Sequence, residues 1–412
     1  MMALFAHDSL TRLIAQVVAI TVLSGLIGRL TRRLGQPFVI AEMLGGIVLG
    51  PSLLGWIAPG VWAQVFTPQS IDALSLISQF GLVFFMFLVG LELDPSQFSG
   101  RTWSSVLIAQ SGIFVPFVGG NILALWMYPR FASPTTSQLA FVLFTGTAMS
   151  VTAFPVLARI LAERRMLTTR VGAVAITCAA IDDVTAWCLL AFMVGVARNS
   201  DLRGAMLTTA AALGYIALMF GVMRPLLSRL AVRVSDPATM PQSTVGFVIV
   251  LLLLSSWATE LIGIHSLFGG FLFGVILPKQ RGFARALHHR LEDLVVVVLL
   301  PLFFASSGLR TQIGLLSTGE DWAVCGLIVM VACLGKIGGC AGAARATGFS
   351  WRDAGAIGVL MNTRGLMELI VLKVGLDYGV ISPTVFSMMV IMALTTTFVA
   401  SPVLRWLVPP PS

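Results

Sequence analysis

Charge is what this sequence has least of. Asp, Glu, Lys and Arg make up 11% of its 412 residues, hydrophobic residues 57%, and the mean hydropathy is +0.94. Soluble globular domains carry about 25% charged residues, so a water-soluble domain of ordinary proportions is excluded. The chain reads as an all-α polytopic membrane protein. Its basic residues stand singly or in short clusters between apolar runs, so the net charge of +8 reflects topology and not nucleic-acid binding. Cysteine offers no scaffold. The five present, Cys178, Cys188, Cys325, Cys333 and Cys340, lie inside apolar runs, giving neither a disulfide framework nor metal spacing; no cofactor is expected. A cleavable leader is missing too. Met1 to Ser9 has no basic n-region, and the first apolar run ends in Arg29, Arg32 and Arg33, as in a retained span.

What is present is a series of apolar runs. Breaking the chain at charges, Pro and Gly predicts about thirteen transmembrane helices, at 10–30, 37–55, 72–92, 103–128, 138–162, 171–197, 204–227, 243–262, 264–278, 291–309, 322–344, 354–376 and 383–407. Basic residues fall unevenly between them. Loops after odd-numbered spans, with the C-terminus, hold 18 of the 26 Lys and Arg: Arg29, Arg32, Arg33, Arg101, Arg159, Arg164, Arg165, Arg170, Arg224, Arg229, Arg233, Lys279, Arg281, Arg285, Arg290, Arg345, Arg352 and Arg405. The opposite side holds Arg12, Arg130, Arg198, Arg203, Arg310 and Lys373, and Lys336 and Arg364 lie within spans. The positive-inside rule then places the N-terminus outside and the C-terminus in the cytoplasm, in a bacterial inner membrane.

Two adjacent acids interrupt the sixth run. Between Arg170 and Arg198, Asp182 and Asp183 are the only charges. A helix rising about 1.5 Å per residue places Asp183 roughly 20 Å from either arginine, near the bilayer midplane. Ionisable groups at that depth are costly and mark ion pathways or proton relays more often than packing. A permanently protonated pair bonding between helices is the plain alternative.

The chain also repeats itself. The stretch from Gln36 to Pro51 is echoed by Gly263 to Pro278, and Phe84 to Leu91 by Phe303 to Leu309. Both pairs lie seven spans apart, an odd offset that inverts the copies. Spans 2–6 (37–197) and spans 9–13 (264–407) are thus expected to form inverted repeats within a single transporter domain, with no soluble regulatory domain.

Such folds bind substrate where two helices break at the midplane. The fifth span holds Ser150, Thr152 and Pro155; its counterpart holds Asn362, Thr363, Arg364 and Glu368. Pro155 removes a backbone donor and crowds the Val151 carbonyl, freeing polar groups to face a cation. Thr152 is the expected direct ligand, by hydroxyl or carbonyl, although a simple Pro kink would need none. Arg364 and Glu368, four apart, are expected on one helical face, neutralising each other in a structural role. Lys336 is the remaining buried charge, and flanking Gly335, Gly338 and Gly339 point to close helix packing rather than snorkelling. Successive helical residues diverge by about 100°, so Asp182 is assigned to Lys336 and Asp183 to the solvent cavity.

Five stretches together resemble the monovalent cation:proton antiporters: Gln36 to Pro51, Gly90 to Asp94, Ala180 to Val184, Glu260 to Gly269 and Met361 to Leu369. The likeness spans about residues 10–407 and is nearest the branch of bacterial sodium or potassium/proton exchangers and plant cation/proton exchangers. It implies a thirteen-helix inverted-repeat fold with two crossed discontinuous helices, and a homodimer. It implies that Asp183 carries the cation, that Asp182 and Lys336 are its partners, and that the stretches around Thr152 and Thr363 cross. Two departures stand out. Asp182 replaces the Asn of many plant-like members, which bears on whether exchange is electroneutral. Potassium efflux members continue into a nucleotide-binding domain, whereas this chain ends at Pro409-Pro410-Pro411-Ser412.

The expected activity is therefore exchange of Na+ or K+ for H+ by alternating access, in contact with membrane lipid and without enzymatic chemistry. A sodium-coupled symporter of a small organic anion is the alternative, disfavoured by two acids at the midplane. An intramembrane aspartyl protease needs acids facing one another from separate helices. A channel would conduct far faster than a carrier.

Overall fold

A computed structural model of the chain describes residues 9–92, 102–133, 136–164, 166, 169–199, 202–232, 240–279 and 282–408. Arg101, Arg165, Arg233 and Arg281 of the basic loops, and Pro409 to Ser412, lie outside the described residues.

Helix accounts for almost every described segment, and no strand occurs among the described residues. The first elements are α1 (Ser9–Arg33), α2 (Phe38–Leu49), the short α3 (Leu54–Ile57) and α4 (Pro59–Val65), α5 (Pro68–Glu92) and α6 (Thr102–Phe131). Next come α7 (Gln138–Ser150), α8 (Phe154–Glu163), α9 (Arg170–Asn199), α10 (Leu202–Leu218), α11 (Arg224–Val232), α12 (Gln242–Ile262) and α13 (Ser266–Ile276). The last are α14 (Phe283–Leu294), α15 (Leu300–Arg310), α16 (Gly319–Ala346), α17 (Trp351–Met361), α18 (Leu366–Asp377) and α19 (Pro383–Leu407). Single π-helical turns at Met219–Met223 and Val295–Leu299 join α10 to α11 and α14 to α15.

Among the described residues, ten helical spans are long and apolar enough to cross a bilayer, and the bent pair α17 and α18 makes eleven. The fifth and ninth predicted spans are occupied by shorter apolar helices. The fifth is α7, interrupted before α8, and the ninth is α13, whose 11 residues rise about 17 Å.

The chain divides into two compact units. One comprises Met1–Ile71, Ser99–Leu189 and Phe304–Ser412, the other Asp72–Phe98 and Leu190–Phe303. Within the first, α2 crosses α15 at Gly46 and Gly308. A Cβ on Gly308 would collide with the Met43 carbonyl and one on Gly46 with Ala305, so the backbones touch. Within the second, α5 meets α13 in the same way, with Gly90 against Phe271 and Gly274 against Phe87.

Also in the first unit, α6 packs along α16. A Cβ on Gly335 would stand 2.9 Å from Pro116 Cα, and one on Gly339 would stand 2.6 Å from the Ser111 carbonyl. Gly338 has open space around it. Two small residues one turn apart thus bring the backbone of α16 against α6, and Lys336, beside Gly335, is completely buried.

Candidate functional site

The site is built around two interruptions of helix. After Ser150 the chain is extended, with Val151 at φ −76 and ψ 141, and α8 starts at Phe154. After Met361 the chain unwinds through Asn362 to Gly365, and α18 leaves α17 at 41°. Unwinding strands backbone groups that lipid cannot satisfy. Each break supplies partners to the other: the Thr152 hydroxyl donates to the Met361 carbonyl at 2.8 Å, and the Ala153 N–H donates to the Thr363 carbonyl at 3.0 Å. Pro155 is the second residue of α8, in a first turn where a missing N–H costs no helical bond.

Arg364 secures the end of α7. Its guanidinium donates to the carbonyls of Ala148 at 3.1 Å, Val151 at 2.9 Å and Met149 at 2.5 Å, and the residue is 1% exposed. A cation there offsets the negative end of the helix dipole and satisfies carbonyls that have no helical partner. The Val151 carbonyl freed ahead of Pro155 therefore faces the guanidinium. The Arg364 backbone is in turn fixed by Thr397 on α19, which accepts from its N–H and donates to its carbonyl, both at 2.9 Å.

The expectation that Arg364 and Glu368 share one helical face and neutralise each other does not describe this geometry. Arg364 lies in the unwound segment before α18 begins, so helical i,i+4 spacing does not apply. No ion pair joins the two among the described residues, and both Glu368 carboxyl oxygens are buried without a hydrogen-bond partner.

Asp182 and Asp183 on α9 are 0% and 1% exposed. Lys336 Nζ lies 2.9 Å from Asp182 Oδ2 and also donates to the Ser150 carbonyl. The Thr152 N–H donates to the same carboxylate oxygen at 2.8 Å. Asp183 accepts from the backbone N–H of Phe154, the first residue of α8, and its Oδ1 has no partner. The two acids thus receive backbone donors from the start of α8, where the dipole favours negative charge. Only Asp182 has a cation within salt-bridge distance among the described residues.

The other named residues serve the breaks. The Ser150 hydroxyl donates to the Thr147 carbonyl at 2.9 Å, and that of Thr363 to the Leu360 carbonyl at 2.8 Å. The Asn362 amide nitrogen lies 3.3 Å from Cys333 Sγ, and its oxygen has no partner. Sequence reasoning missed Thr397, the α7 carbonyls that Arg364 binds, and the amides of Thr152 and Phe154. Backbone groups have no sequence signature; only the expected breaks could have pointed to them. Among the described residues no cluster of three or more His, Cys, Asp or Glu forms a metal site. The arrangement provides one carboxylate tied to an ammonium and a second, unpaired carboxylate beside it, both held at a helix start. A buried carboxylate without a counter-ion is the kind of group that attracts a cation or a proton.

Comparison with known proteins places the chain in a family. Residues 18–409 match the family described as sodium/hydrogen exchanger, transmembrane. The chain is 42% identical over 406 residues to the Na(+)/H(+) antiporter NhaS4 of Synechocystis sp., covering 98% of this chain and 99% of that one. It is 38% identical to cation/H(+) antiporter 19 of Arabidopsis thaliana over 98% of its own length, and spans 50% of that relative. The sodium proton antiporter MjNhaP1 of Methanocaldococcus jannaschii superimposes with a TM-score of 0.70 at 13% identity, covering 97% of each chain, a likeness of fold.

Proposed function

On the premise that the chain belongs to the sodium/hydrogen exchanger family, a family of integral-membrane cation/proton antiporters, we propose that Asp183 carries the exchanged ions, binding an alkali cation and a proton in competition. The observation carrying this reading is the contrast between neighbours. Each keeps one buried oxygen without a hydrogen-bond partner, but Asp182 is held by the Lys336 ammonium and the Thr152 N–H, whereas Asp183 has no cation within salt-bridge distance among the described residues. A carboxylate without a counter-ion in the membrane interior needs a cation or a proton, and binding of one displaces the other.

Exchange follows if the site opens to either face only when that charge is neutralised, which is alternating access. Na+ or K+ then leaves on one side as H+ enters from the other. The crossings of α2 with α15 and of α5 with α13, built on matching glycines of the two repeated stretches, support the inverted-repeat organisation. The basic loops support an N-terminus outside and a C-terminus in the cytoplasm of a bacterial inner membrane. By likeness to the family, the working unit is a homodimer.

The test is proton flux in sealed proteoliposomes containing a pH dye, with Na+, K+ and Li+ added separately. A cation-dependent pH change that disappears in Asp183→Asn is expected. Undiminished exchange by that variant would overturn the assignment.

A further inference from the structure

Resting on the same exchange reading, we propose that Glu368 is a second proton-carrying group of the cycle, releasing its proton when the cation binds. Four observations converge on it. Glu368 is 1% exposed, in the first turn of α18, immediately after the unwound segment, whose Thr363 carbonyl accepts from the N–H of Ala153, the residue after Thr152 on the Asp182 side of the site. Neither carboxyl oxygen has a hydrogen-bond donor among the described residues. The nearby guanidinium of Arg364 is directed to the α7 carbonyls, with its Nε unpartnered. Asp182, the other candidate for a second proton, is already held by an ammonium and a backbone N–H.

A carboxylate anion with no donor at either oxygen is disfavoured inside a membrane, so in this conformation Glu368 is the neutral acid. Its surroundings also contain what would stabilise the anion. The start of α18 presents the positive end of a helix dipole, and Arg364 precedes it by four residues. A small rearrangement of Asn362 to Gly365 would bring the unpartnered Nε of Arg364 towards the carboxylate. In the step proposed, the O–H bond of Glu368 breaks, its proton passes to water on the side to which the site is open, and the charge remaining is balanced by Arg364. With the proton displaced from Asp183, two protons move for each cation. Lys336 and Asp182 stay paired throughout.

The experiment is the reversal potential of cation-driven proton flux in proteoliposomes, for the wild-type chain and Glu368→Gln, across a pH series. Two protons per cation are expected for the wild type. The amide fixes the neutral state, so Glu368→Gln should retain cation-dependent flux, exchange one proton per cation and lose its response to membrane potential. Unchanged stoichiometry and pH profile in Glu368→Gln would overturn the proposal, as would one proton per cation in the wild type.

Should Glu368→Gln fail to fold, proton release on Na+ or K+ binding to the detergent-solubilised wild type, by calorimetry in buffers of different ionisation enthalpy, decides the matter. Release approaching two protons supports it, and release of no more than one overturns it. Exchange that survives Asp183→Asn would instead sink the underlying site assignment, an outcome distinct from either result at Glu368.

Discussion

Lys336 Nζ and Asp182 Oδ2 are 2.9 Å apart, and neither side chain has any exposed surface. Removing one partner of a buried pair leaves an uncompensated charge, which costs about 3–5 kcal/mol. Lys336→Ala is therefore expected to lower thermal stability in detergent sharply. Lys336→Ala combined with Asp182→Asn removes both charges and should recover part of the loss. Equal losses in the single and double variants would show that the packing of Lys336, rather than its charge, is what matters.

Asp183 gives a different result because it has no counter-ion to abandon. Asp183→Asn should fold with unchanged or higher thermal stability in cation-free buffer. The wild type should gain stability on adding its cation, by about 2.7 kcal/mol at a hundredfold excess over Kd, and the variant should gain nothing. Thermal melts with Na+, K+ and Li+ would also identify the preferred ion. An equal shift in both proteins would place the cation elsewhere.

Arg364 is predicted not to tolerate lysine. Its guanidinium reaches three carbonyls in a fork that a single ammonium cannot reproduce. Hydrogen bonds to charged groups are worth about 1.5–3 kcal/mol each. Losing one or two should destabilise Arg364→Lys by a few kcal/mol and loosen the Val151–Ala153 segment. Hydrogen exchange at the Ala153 amide, bonded to Thr363, would report it. Wild-type protection in Arg364→Lys would show that the Thr397 contacts hold the break alone.

How much of this could be read beforehand depends on which physical signal each feature leaves. Apolar runs and Pro or Gly breaks leave strong ones, so the all-α membrane fold and the interruptions near Thr152 and Thr363 were legible. So was the family, because five stretches appear in order. Arg364 was misread because the i,i+4 rule presumes a continuous helix, and the chain is unwound where Arg364 sits. The donors from Thr152 and Phe154 to the two acids were invisible, since any residue supplies an amide. Thr397 stood thirty-three positions from its partner with nothing local to mark it.

The glycine crossings carry a prediction for each unit. At Gly308 and Gly90 the facing atoms are backbone, which cannot swing aside as a flexible side chain could. Overpacking of this kind costs about 1–3 kcal/mol and more when backbones must separate. Gly308→Leu and Gly90→Leu should both lower thermal stability, whereas Gly314→Leu, at a position with open space around it, should not. Equal tolerance at all three positions would argue against the tight crossings.

Competition between proton and cation at Asp183 makes a kinetic prediction that separates it from simple acid inactivation. If a proton must leave before the cation enters, lowering the pH removes free sites without altering the turnover of loaded ones. Displacement of that one proton should then raise the apparent KM for the cation by up to tenfold per pH unit on the acid side, while the maximal rate at saturating cation stays level. A second displaced proton, from Glu368, would steepen the slope towards a hundredfold per unit, and Glu368→Gln should return it to tenfold. Initial rates over a cation series at each pH measure both quantities. A falling maximal rate with constant KM would mean that protons act on a step other than cation binding, and competition at Asp183 would have to be abandoned.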